Sequence, residues 1–213
     1  MPLYKIITVS SDIKAYLWQV TELEDSLAKG IKLTPHCQKR FEKMKSALHR
    51  KAFLSIRHLM ALAGYEDQHL FYDELGKPFL IDGTHISISH SHEFTGIVLS
   101  KFHEVGIDIE KHREKILRIA RRFTPLQEYR TVANVDALIL KLTQVWCAKE
   151  ALYKIYNQPG LSFLNHITVN DFRVDDRETT AEIEHQGKQS KFQICFDEFE
   201  GYSCAYAKRL QKH

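Results

Sequence analysis

The sequence predicts a mixed α+β fold, with helices packed on largely antiparallel sheet, and three observations predict it. The C-terminal part alternates apolar and polar residues in four segments, 167–174, 179–185, 191–196 and 202–208, separated by Asp-Asp and Gln-Gly turns. Two long segments, 34–64 and 136–157, carry apolar residues at spacings of three and four. The composition, 44% hydrophobic and 27% charged in 213 residues, belongs to a chain that buries a core and excludes disordered and low-complexity classes.

In chain order, residues 3–9 alternate weakly and predict a first strand, and Asp12 to Lys29 predicts a helix stopped by Gly30. From Thr34-Pro35 a single long helix is expected, with Phe41, Met44, Leu48, Phe53, Ile56 and Leu59 on its apolar side and an end near Gly64. Asp73 to Pro78 is a turn. His85–Ser89 and Thr95–Leu99 are strands joined at His90–Glu93, and Val105–Glu110 is a further short strand. A basic segment to Arg122 and helices over 124–133 and 136–157 precede the final strands.

Charge and cysteine usage narrow the function classes. Thirty Lys and Arg against 27 Asp and Glu give a formal charge of +3, which suits an anionic partner on one face and argues against broad nucleic-acid coating. No apolar run reaches the roughly 20 residues that cross a bilayer, and the N-terminus lacks an apolar signal core, so a cytoplasmic protein without membrane contact is expected. Cys37, Cys147, Cys195 and Cys204 are scattered without a C-x-x-C pair and are read as reduced.

Three clusters can carry chemistry. In Gly106-Ile107-Asp108-Ile109-Glu110 the period of two puts both carboxylates on one strand face, which is half of a Mg²⁺ site or simply the wet side of an amphipathic strand. In Trp146-Cys147-Ala148-Lys149-Glu150-Ala151-Leu152-Tyr153-Lys154, helical spacing stacks Trp146, Glu150 and Lys154, with Lys149 and Tyr153 on the adjoining stripe; taken alone, a surface ion pair and a core tryptophan explain this more simply than a site does. Ile86-Ser87-Ile88-Ser89-His90-Ser91-His92 turns hydroxyls and an imidazole outward at a strand end, a pattern suited to phosphate. Gly76-Lys77-Pro78 adds a cation on a tight turn, and no Gly-rich nucleotide loop occurs.

Taken together and in order, Gly-Lys-Pro, Ser-His-Ser, Gly-Ile-Asp-Ile-Glu, Arg-Phe-Thr-x-x-x-Glu-Tyr and Trp-x-x-Lys-Glu-Ala-x-x-Lys resemble the Sfp-type 4′-phosphopantetheinyl transferases over about residues 48–172. That family moves the 4′-phosphopantetheine arm of coenzyme A onto a serine of an apo acyl or peptidyl carrier protein and releases adenosine 3′,5′-bisphosphate. The resemblance implies a fold of two pseudo-twofold-related halves, here residues 1–103 and 104–213, each an antiparallel sheet packed with helices, in a monomer.

By the same resemblance Asp108, Glu110 and Glu150 bind Mg²⁺, with Mn²⁺ an alternative, and Glu150, Lys154 and Asp108 carry catalysis, Glu150 being the base toward the carrier serine, a metal ligand, or both. Coenzyme A contacts fall on Arg50, Lys77, Ser89, His90, Lys149 and Lys154, with His90 near the 3′-phosphate and Trp146 supporting the site. Glu128 takes an acidic position close to the metal, and Arg57 is a further basic position on the first long helix. At Asn157-Gln158-Pro159-Gly160-Leu161-Ser162 a lysine common in the family is missing. The basic stretch Lys111–Arg122 suits docking of an acidic carrier. The alternative is a non-catalytic binder of coenzyme A or carrier on the same scaffold; a basic nucleic-acid module lacks a stacking platform.

Overall fold

The computed structural model describes residues 2–125 and 134–210 and divides into two units, Met1–Phe102 and His103–His213. In the first, β1 (Leu3–Thr8) pairs with β2 (Ile13–Gln19), and only α1 (Glu24–Ala28) is helical in the segment expected to be one helix. The strand wins because Ile13, Ala15 and Leu17 on one face and Tyr16 and Trp18 on the other are all buried. Its backbone is paired on both edges, with β1 and with the strand Phe94–Ser100.

The expected long helix is two, α2 (Pro35–Glu42) and α3 (Ala47–Leu62). Thr34 caps the first by accepting from the Cys37 N–H. Ser46, lying inside an unbroken helical period, starts the second by accepting from the His49 N–H. A hairpin of β3 (Leu70–Tyr72) and β4 (Pro78–Leu80) follows, its turn held by Asp73 accepting from the N–H groups of Leu75 and Lys77, with Gly76 at φ +82°. β5 (His85–Ser91) and β6 (Phe94–Ser100) close a sheet of order β1-β2-β6-β5-β4-β3, antiparallel throughout. Leu54, Ile56, Leu59 and Met60 of α3 share a core with Trp18, Ile86 and Ile97.

In the second unit β7 (Val105–Lys111) leads to α4 (Lys115–Ile119), a 3-10 turn at Ala120–Arg122 and α5 (Val135–Tyr156), then α6 (Phe163–His166) and β8 (Ile167–Val169), β9 (Glu178–His185), β10 (Lys188–Phe199) and β11 (Tyr202–Arg209). The sheet order is β7-β11-β10-β9-β8, again antiparallel. The helix expected over 124–133 lies largely outside the described residues, as does Glu128. Asn134 caps α5 by accepting from the Ala137 N–H, and Asn157 ends it in the left-handed region at φ 47°. The strand expected over 167–174 stops at Val169, since Asp176 accepts from the Arg173 N–H and folds the chain into a turn. Helix α6, with Ser162 as its cap, was not expected from the sequence. The core forms between α5 and the sheet, from Leu142, Val145, Ala148, Leu152 and Ile155 against Phe192, Ile194 and Ala205.

Candidate active site

The site begins with a missing side chain. At Gly106 on β7 a Cβ would stand far inside van der Waals contact of the Ala151 carbonyl on α5 and against the Ile155 side chain. Only glycine lets helix and strand approach this closely. Gly106, Asp108 and Glu110 share a strand face, so the face expected to be wet is the one α5 covers, and Asp108 is buried. That corrects the solvated-face expectation.

The approach puts Lys154 on Asp108. Its Nζ donates to Asp108 Oδ1 at 2.8 Å and to the Ile107 carbonyl at 2.7 Å. One turn earlier on α5, burial and the neighbouring Asp108 charge raise the Glu150 carboxyl to about 7; Lys154 opposes them and Glu110 adds to them. A carboxyl so placed exchanges its proton near neutral pH, as a general base requires. Cys147 and Cys204 lie near the same charges, and burial, reinforced by nearby carboxylates, pushes both thiols up, so they are inert. All four cysteines are free.

Two cavities flank Trp146. One, of about 540 Å³, is walled by Arg122, Phe123, Trp146, Tyr153 and Phe163 and opens on Glu150. The other, of about 170 Å³, brings Glu110 together with Lys111, Arg113, Lys115 and Thr143. The aromatic wall is close-packed. Trp146 meets Phe123 at 5.0 Å and Phe163 at 5.5 Å, and Phe163 meets Tyr153 at 5.6 Å between ring centres. Phe163 escaped sequence reasoning, because nothing in Leu161-Ser162-Phe163 says which aromatic it will face; the signal was Ser162, a cap followed by a helix start.

Asp108, Glu110 and Glu150 are hard oxygen donors with Lys154 beside them, and Asp108 and Glu110 both act electrostatically on Glu150. That donor chemistry suits Mg²⁺ or Mn²⁺ and accumulates negative charge that a divalent cation offsets. The three carboxylates are not drawn into one coordination sphere, and no group of three or more His, Cys, Asp or Glu is so arranged among the described residues.

Lys149 departs from the expected coenzyme A contact. It is buried, and its ammonium donates to the carbonyls of Phe123, Phe163 and Ile167 at 2.6, 2.7 and 2.7 Å, so its three donors point into the protein. Arg57 is likewise internal, bonded to Asp67 Oδ1 at 2.9 Å. In the first unit Arg50 at the start of α3 grips both Glu24 oxygens, at 2.8 and 2.9 Å, and the Met44 carbonyl. Lys77 lies on the Gly76 turn, Ser89 is buried on β5, and His90 is exposed with the His49 ring edge-on at 5.7 Å. The first unit therefore holds Arg50, Lys77, Ser89 and His90, and the second Asp108, Glu110, Lys149, Glu150 and Lys154.

Residues 104–207, which include nearly all of the second unit, match the family model of the 4′-phosphopantetheinyl transferase superfamily. Over those residues the chain is similar to that superfamily. It is 30% identical over 154 residues to the 4′-phosphopantetheinyl transferase gsp of Aneurinibacillus migulanus, a stretch covering 70% of this chain and 62% of that protein. The chain thus spans less than two thirds of that relative's length. No helix among the described residues is long and apolar enough to cross a membrane.

Proposed function

We propose that the protein transfers the 4′-phosphopantetheine arm of coenzyme A to a serine of an apo acyl or peptidyl carrier protein. The observation that carries this reading is Glu150, a half-buried carboxyl raised to about 7 beside the Asp108–Lys154 pair. The serine oxygen attacks the β-phosphorus of coenzyme A, the bond to the bridging oxygen breaks, and adenosine 3′,5′-bisphosphate leaves. Glu150 accepts the serine proton, either directly or through water. Lys154, oriented by Asp108 and the Ile107 carbonyl, presents positive charge to the phosphates and stabilises the leaving group. Asp108, Glu110 and Glu150 would hold Mg²⁺ or Mn²⁺, which when bound neutralises pyrophosphate charge. Arg50, Lys77, Ser89 and His90 are assigned to the coenzyme A phosphates, with Arg50 shared with Glu24.

The test is intact-protein mass spectrometry of an apo acyl carrier protein incubated with this protein, coenzyme A and Mg²⁺, with EDTA as control. The expected result is one added phosphopantetheinyl group, absent with EDTA. Calorimetric binding of coenzyme A without any transfer to several carriers would instead support the non-catalytic binder.

A further inference from the structure

We infer that Lys149 is a positioning residue that fixes the aromatic wall of the Glu150 cavity, an inference that rests on the transferase reading for its kinetic consequence. Among the described residues, three of its acceptors come from three separate stretches of chain: Phe123 closes the 3-10 turn after α4, Phe163 opens α6, and Ile167 opens β8. Two of those residues carry rings that pack on Trp146. The 3-10 turn has three residues and α6 has four, too short to hold their own geometry by internal hydrogen bonding. A single buried ammonium therefore ties both short elements to α5, at the position immediately before Glu150.

The chemistry demands lysine. Three carbonyls converging on one point match the three donors of an ammonium, whereas the planar fork of arginine spreads its donors apart. Methionine has similar reach and leaves all three carbonyls without that donor. The wall then loosens, Trp146 gains solvent, and the cavity beside Glu150 loses its shape while Asp108, Lys154 and Glu150 keep their chemistry.

The chain has two tryptophans, Trp18 in the first unit and Trp146 in the second, so 5-fluorotryptophan labelling gives two ¹⁹F signals without further mutation. Signals are assigned with Trp146→Phe. In Lys149→Met and in Lys149→Arg we expect the Trp146 signal to shift and broaden while that of Trp18 stays in place. In the same proteins kcat for carrier modification is expected to fall at least about 10-fold, with KM for coenzyme A changed less than about 3-fold. Unmoved Trp146 signals with normal kcat overturn the inference. So does loss of both signals' native positions in both variants, which would make Lys149 a determinant of the whole fold. Restoration of Trp146 and kcat by arginine also overturns it, since charge without three-point geometry would suffice. Should the unmodified protein transfer nothing, the transferase reading falls, and the ¹⁹F contrast still decides the clamp.

Discussion

Each unit contains a close ion pair, fully buried in the first and half-buried in the second, and the pairs are opposites. In the first, Arg57 and Asp67 meet at 2.9 Å with side chains 4% and 0% exposed. Burial alone would raise the Asp67 carboxyl, yet the Thr34 N–H, the Arg57 charge and the Thr34 hydroxyl together hold it below the usual range. In the second, Lys154 and Asp108 meet at 2.8 Å, but burial and then the Asp108 and Glu110 charges, against the opposing Lys154, raise the nearby Glu150 to about 7. A satisfied charge pair is scaffold, whereas one lysine among three carboxylates is a site prepared for chemistry.

The contrast breaks most visibly at the scaffold pair. Arg57→Leu leaves Asp67 buried beside an apolar side chain and is expected to lower unfolding free energy by about 3–5 kcal/mol in urea melts. Asp108→Asn should do the reverse. It keeps an acceptor for Lys154, loses about 1 kcal/mol of stability, and lowers transfer by about 10²–10³-fold in the mass-spectrometric assay. Near-normal turnover in Asp108→Asn would make the second pair scaffold as well.

Gly106→Ala sharpens the comparison by moving the helix rather than a charge. The added methyl collides with the Ala151 backbone, so a loss of about 1–3 kcal/mol in thermal unfolding is expected together with lost activity. Unaltered stability and activity would remove the close approach from the account.

The smallest effect has the opposite sign. Because the folded Glu150 carboxyl lies near 7 against 4.5 when unfolded, its contribution is full below pH 4.5 and is lost as pH rises through 7. Glu150→Gln abolishes that loss. In EDTA it should be more stable than the parent by about 1–2 kcal/mol at pH 8, allowing for partial solvent screening, and gain nothing at pH 4. A destabilised Glu150→Gln protein at pH 8 would show that ionised Glu150 is satisfied without metal.

The sequence reveals the second site better than the first unit's architecture. Alternation in Gly106–Glu110 and helical spacing in Trp146–Lys154 are local properties, so β7, α5 and their shared carboxylates are legible. Which side of β7 is covered is not, because that follows from Gly106 admitting α5, a tertiary fact. Lys149 and Lys154 look equivalent in one motif, yet one reaches three carbonyls and the other a carboxylate; helical phase separates them, and their neighbours come from distant segments. The strand at Ile13–Gln19 was hidden because a short apolar run fits either period, and the break before α3 because Ser46 interrupts no hydrophobic pattern.

The central claim is that Glu150 titrates near neutrality because burial and the neighbouring Asp108 and Glu110 charges raise it, and carbon-13 NMR of glutamate Cδ tests it most directly. The Glu150 signal is assigned by its disappearance in Glu150→Gln and followed from pH 4 to 9 with and without Mg²⁺. A midpoint near 7 in EDTA that falls on adding Mg²⁺ is predicted. A midpoint at an ordinary carboxylate value, unmoved by Mg²⁺, would contradict the account.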